Sequence, residues 1–228
     1  TDGAMPYYHY QLTDIATKGL TATQLFNEVD NSWMDLKHSV CANRAHVWGY
    51  DMYRRHNLNV GRIFIFFTKD VWKNAKHGYM YHAGTYVVEN GKEWVLERSY
   101  IEVPRPLTIV EWMDNEMEGK APASQCIEIT EKDTDLTEYF FDRYNLPRYR
   151  EGGKPSAPCY FRKVPGYLPY PASVAEIDLH KDGDGKASDY NPSAFDFNEV
   201  MVACEDAKSG GRPLKRIGSS DFCKKYLR

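Results

Sequence analysis

At 228 residues, with 42% hydrophobic and 27% charged side chains, the chain is long enough to bury a sizeable core and is expected to form one domain. Its net charge of −3 gives it no reason to bind nucleic acid or an anionic membrane. No run of about 18 or more apolar residues is present to cross a bilayer as a helix. The chain opens "TDGAMPYYHY" without an initiator methionine, which suggests a processed or a trimmed chain.

Thr21 and Gln24 have the spacing of a capping box, and Leu25, Val29, Trp33 and Leu36 follow at helical intervals. The pattern predicts a helix from about 21 to 37. Ser39 is a fitting N-cap for a second helix running to about His56, with Cys41, Ala45, Trp48 and Met52 on one face. "VGRIFIFF" (60–67) reads as a buried strand. "MYHAGTYVVENGKEWVLERSYI" reads as a hairpin, because Asn90-Gly91 is the strongest short signal for a two-residue turn.

Further on, "PLTIVEWMDNEM" (106–117) predicts an amphipathic helix and "SQCIEIT" (124–130) a strand. "TDLTEYFFDRY" (134–144) is expected to be helical. The proline-rich stretch 146–171 is expected to be extended, with a strand at "CYFRKV". "SAFDFNEVMVACEDAK" (193–208) predicts a last helix. The layout is therefore α+β: a core of about 10–170, and an extension, 171–228, with a loop and that helix, both within a single domain, 1–228.

Five cysteines are present, Cys41, Cys126, Cys159, Cys204 and Cys223. Four of them can form two bridges in an oxidising compartment, leaving one thiol free. No CxxC pair marks a structural zinc site. "DLHKDGDGKASD" (178–189) places Asp178, Asp182 and Asp189 at positions 1, 5 and 12 of a calcium loop. His180 at position 3 and an aspartate at position 12 make a solvated turn the better account. The tail from 205 carries seven basic residues against three acids, usually a solvated face and otherwise a surface to dock an acidic substrate protein or a chaperone.

The chemistry concentrates in "CANRAH", Cys41–His46. A cysteine in the first turn of a helix meets the positive end of the helix dipole, which favours a thiolate. It becomes a nucleophile only if a base and an orienting acid reach it. His46 lies five residues on, turned about 140° away, and is expected to make a structural hydrogen bond. Arg44 is one turn on, placed to pair with a carboxylate, line the cleft or face solvent.

His82 is the better base. A two-residue turn at Asn90-Gly91 pairs Glu89 with Lys92, Gly84 with Glu97 and His82 with Ser99. Glu97 then lies on the same face as His82 and diagonal to it, roughly 7–8 Å away between backbones. Gly84 leaves room for it to lean across. Tyr81 and Trp48 are candidates for the cleft wall or for plain core.

Cys41-Ala-Asn-Arg44-Ala45-His46, followed by Tyr81-His82 and an acid on the partner strand, resembles the bacterial protein-glutaminase family. The resemblance implies a papain/transglutaminase-like core, with the cysteine helix packed on an antiparallel sheet that carries the histidine and acid. It also implies a Cys41–His82–Glu97 triad, with glutamate where the family has aspartate. The implied reaction is deamidation of protein-bound glutamine to glutamate and ammonia, with no cofactor, by a secreted or translocated bacterial protein. A monomer is expected. A cysteine peptidase or a transglutaminase uses the same groups, and a binding or toxin-associated module would leave Cys41 buried and inert.

Overall fold

The computed structural model describes residues 11–29, 41–78, 81–98, 103–129, 139–141, 147–149 and 157–166. Four α-helices fall among them: α1 (Ala22–Glu28), α2 (Cys41–His56), α3 (Lys69–Asn74) and α4 (Ile109–Glu116). The strands are β1 (Gly61–Phe67), β2 (Tyr81–Glu89), β3 (Lys92–Val95), β4 (Leu107–Thr108), β5 (Ile127–Glu128), β6 (Tyr139–Phe141), β7 (Pro147–Tyr149) and β8 (Cys159–Pro165).

The apolar run of β1 is buried along its whole length. It sits inside a six-stranded sheet of order β4-β3-β2-β1-β8-β5. All neighbours are antiparallel except β5 and β8, so the sheet is mixed rather than purely antiparallel. Alternate residues of a strand face opposite sides, and β1 uses both. Ile63, Ile65 and Phe67 pack with Ile109, Trp112 and Met113 of α4. Phe64 and Phe66 pack with Ala45 of α2. The fold is thus an α+β sheet with a helix against each face. Each such side chain stabilises the fold by about 1.5–3 kcal/mol when fully buried.

The β2–β3 hairpin has the register that its turn dictates. Asn90 and Gly91 both take positive φ, 51° and 73°, as a type I′ turn requires. Glu89 pairs with Lys92 and Tyr86 with Val95. The ladder runs one step past β3, where the Leu96 N–H donates to the Thr85 carbonyl at 2.8 Å.

The turn is also tied from outside. The Asp14 carboxylate accepts from the Asn90 and Gly91 N–H groups at 2.9 and 3.0 Å. Helix α1 is fastened to the same hairpin at both ends. Glu89 accepts from the Ala22 N–H in its first turn, at 3.0 Å. At the other end the Arg98 guanidinium donates to the Phe26 and Val29 carbonyls. The Thr21–Gln24 capping box forms as expected.

Three expectations are corrected. Helix α1 stops at Glu28 instead of continuing towards 37, because Val29 leaves the helix at ψ 114° and Arg98 takes the carbonyls at its end. The helix expected over 106–117 starts at Ile109, after the short strand β4, where Thr108 and Glu111 form a second capping box. The helix expected over 134–144 is contradicted at 139–141. Tyr-Phe-Phe there forms β6, which pairs with β7 in a separate two-stranded sheet, as aromatic side chains favour. The region expected to hold one strand at "CYFRKV" supplies β8, paired along the length of β1.

Cys126 and Cys159 form a disulfide, with Cα atoms 4.7 Å apart, fastening the start of β5 to the start of β8. Cys41 is free. Ser39, Trp33, Leu36, the calcium-like loop with Asp178, Asp182 and Asp189, Cys204, Cys223, the basic tail and the expected helix 193–208 lie outside the described residues. No helix among the described residues is long and apolar enough to cross a membrane.

Candidate active site

Cys41 is the first residue of α2, and it is partly exposed. The helix is seated against the sheet through Thr85 of β2, whose hydroxyl donates to the Ala45 carbonyl at 2.8 Å. Cys41 thereby comes to rest against an apolar cluster that includes Phe64, Phe66 and Ala83, with Tyr81 beside it. Tyr81 stands against the Phe64 and Phe66 rings, at centroid distances of 6.3 and 6.1 Å.

His82, the second residue of β2, is fully buried. Its Nε2 lies 3.1 Å from Glu97 Oε2. At the end of the strand the imidazole also comes within interaction range of the Cys41 side chain. The structure therefore brings Cys41, His82 and Glu97 into one chain of contacts. Glu97 arrives there because the two-residue turn sets Gly84 opposite it.

The room beside Gly84 is shared. A Cβ at that position would stand 3.1 Å from Val95 Cγ1 and 3.5 Å from Trp112 Cζ2. Trp112 of α4, itself fully buried, lies 5.9 Å from the His82 ring. Glycine thus lets the indole close down over the imidazole.

Burial alone would favour the neutral imidazole. Against it act the negative charge of Glu116, the side-chain interactions with Cys41 and Glu97, and the charge of Cys41. Together they hold His82 well above the usual histidine range. The balance favours the protonated imidazole, a form able to give up a proton.

The remaining candidates are dispersed. Arg44 is buried in the first turn of α2, so its solvated alternative does not hold. Trp48 is buried too, but it lines a narrow groove between α1 and α2 with Leu25, Val29 and Met52, two turns along from Cys41. The side chain of His46 lies outside the described residues. Among the described residues no cluster of His, Cys, Asp or Glu has the form of a metal site.

Glu116, the last residue of α4, was not foreseen. It is buried, and its Oε1 lies 3.9 Å from His82 Nε2. The available signal was an acid in the last turn of a helix with no base there to match it.

No protein-family model and no curated protein matches the chain. Among solved structures, the chain is similar to the NMR structure of protein-glutaminase from Chryseobacterium proteolyticum. That likeness covers 62% of this chain and 82% of that one, at 15% identity and a TM-score of 0.33.

Proposed function

We propose that the protein is a thiol hydrolase that deamidates glutamine side chains in a protein substrate. The observation that carries this reading is the contact chain from Cys41, at the start of a helix, through the buried His82 to Glu97. The resemblance of "CANRAH" and the following hairpin to protein-glutaminases selects glutamine as the substrate. The partial exposure of Cys41 supports an enzyme over a binding module with an inert cysteine.

In this reading the Cys41 thiolate attacks the carboxamide carbon, and the C=O electrons move onto oxygen. The Cys41 backbone N–H, unpaired within the helix at its first position, faces the developing oxyanion. As the intermediate collapses, the C–N bond breaks and His82 gives its proton to the departing ammonia. The neutral imidazole then takes a proton from water as that water adds to the thioester. Collapse of the second intermediate releases glutamate and restores the thiolate–imidazolium pair. Glu97 holds the imidazole orientation throughout. Chain 1–228 acts as a monomer without a cofactor. The Cys126–Cys159 disulfide fits a secreted or translocated protein, since such bonds persist in oxidising compartments.

The test is ammonia release from casein by the wild type and by Cys41→Ala, with intact-mass analysis of the casein. Release with a gain of about 1 Da per site (–NH2 replaced by –OH), absent in the variant, supports deamidation. Cleaved casein would make the protein a peptidase, and amine-coupled casein a transglutaminase. Ammonia release that persists in Cys41→Ala would overturn the thiol mechanism.

A further inference from the structure

The imidazole has two acids beside it. Glu97 Oε2 stands 3.1 Å from His82 Nε2, within hydrogen-bond distance, and Glu116 Oε1 stands 3.9 Å from the same nitrogen, beyond it. Both carboxylates are buried, 2% and 4% exposed. Glu116 also occupies the last position of α4, where the negative end of the helix dipole opposes a carboxylate and no basic residue in the last turn offsets it. Two physical costs, lost hydration and an adverse dipole, thus fall on one side chain. The imidazolium 3.9 Å away is a cation placed to offset both.

Among the described residues, the titratable groups facing His82 come from four directions. They are Cys41 from α2, Glu97 from the end of the hairpin, Glu116 from α4 and His77 from the loop after α3. β1, alongside, places the apolar Ile65 opposite it. His77 accompanies Glu116 closely, with its Nε2 3.2 Å from the Glu116 carbonyl oxygen. Burial is the largest influence on His77 and lowers its proton affinity; Glu118 and the Glu116 carbonyl oppose this, and the charge of His82 adds to the lowering. Of the two histidines, the proton therefore stays on His82.

We propose that Glu116 is a positioning residue for the reaction: its charge keeps His82 protonated, while Glu97 fixes the ring through a hydrogen bond. Glu97 orients the ring and favours its charged form through that hydrogen bond, and Glu116, beyond hydrogen-bond reach, acts through its charge alone. This rests on the deamidase reading for its purpose, though not for its physical content.

The test uses the full chain with Glu116→Gln and Glu116→Asp. His82 is titrated by NMR on the resting protein, and ammonia release is followed against pH. Removing an opposite charge at this distance shifts a titration by about 1–2 pH units. In Glu116→Gln the His82 midpoint should fall by that amount, and the alkaline limb of ammonia release should fall with it. Glu116→Asp, which keeps the charge, should move the midpoint less than half as far. The proposal is overturned if Glu116→Gln folds and His82 titrates as in the wild type, or if Asp and Gln shift it equally. Should Glu116→Gln fail to fold, Glu116→Asp decides: a midpoint displaced by a full unit or more despite the retained charge overturns the proposal. A wild type that releases no ammonia, with a His82 midpoint that still falls in Glu116→Gln, sinks the deamidase reading and leaves the charge coupling standing.

Discussion

Asp14 holds the turn that places Glu97. Its carboxylate accepts from the Asn90 and Gly91 N–H groups at 2.9 and 3.0 Å, and also from Ala16 N–H at 3.1 Å. The Asn90 hydrogen bond is the main cause that holds its pKa below the ordinary 3.8, partly opposed by desolvation. A carboxylate with a lowered folded-state pKa stabilises the fold fully above its unfolded value, and that contribution is lost as pH falls through the folded value. Asp14→Asn should therefore lower the melting temperature at pH 7, and the gap from the wild type should close as the pH is taken below 3.8. A gap that stays constant with pH would mean that the carboxylate charge is not what holds the turn.

A one-residue change beside the turn should disable the site without touching it. Deleting Lys92 keeps the two-residue Asn90-Gly91 turn but shifts the pairing, and a shift of one residue turns every following side chain to the other face. Glu97 would then leave His82. On the deamidase reading, the deletion should lower the kcat of ammonia release to the level of Glu97→Gln, a loss of roughly 10²–10⁴-fold. The circular dichroism spectrum should stay close to that of the wild type. Full activity in either variant would remove Glu97 from the mechanism.

Gly84→Val should cost stability and activity together. The added atoms meet Val95 and Trp112 at a site where even a Cβ is tight. Overpacking of this kind costs about 1–3 kcal/mol, read from the midpoint of urea unfolding. Because Trp112 lies on His82, ammonia release should fall further than the unfolded fraction accounts for.

Reducing the Cys126–Cys159 bond should destabilise the protein by about 3–4 kcal/mol, the chain-entropy figure for a loop closed across 33 residues. Urea unfolding with and without dithiothreitol gives the value. Unchanged stability on reduction would mean that the bridge adds nothing to the hydrogen bonds that already join β5 to β8.

What the sequence disclosed was local. The Asn90-Gly91 turn is a two-residue decision, and it carried the register from Glu89 to Glu97 without further information. The capping box at Thr21 and Gln24 and the apolar run of β1 are equally local. The same device at Thr108 and Glu111 was readable but lay inside a longer helical pattern, so the expected start of α4 came too early. Tyr139–Phe141 takes a strand because it pairs with Pro147–Tyr149, and periodicity does not reveal a partner. Glu116 and His82, 34 positions apart in sequence, meet only once β2 and α4 have packed, and the Cys126–Cys159 pairing is no more visible in spacing. The site was legible where one hairpin builds it and hidden where the tertiary packing does.

Helix α1 has seven residues, too few to persist alone in water. Its two ends are held by Glu89 and Arg98, which flank the hairpin's turn in sequence. It therefore belongs to the same cooperative opening unit as that hairpin. The amide protons of Leu25 and Val29, bonded to the Thr21 and Leu25 carbonyls, should exchange with solvent only when the hairpin opens. Their exchange rates report, from the far side of the hairpin, on whether Glu97 is still aligned with His82.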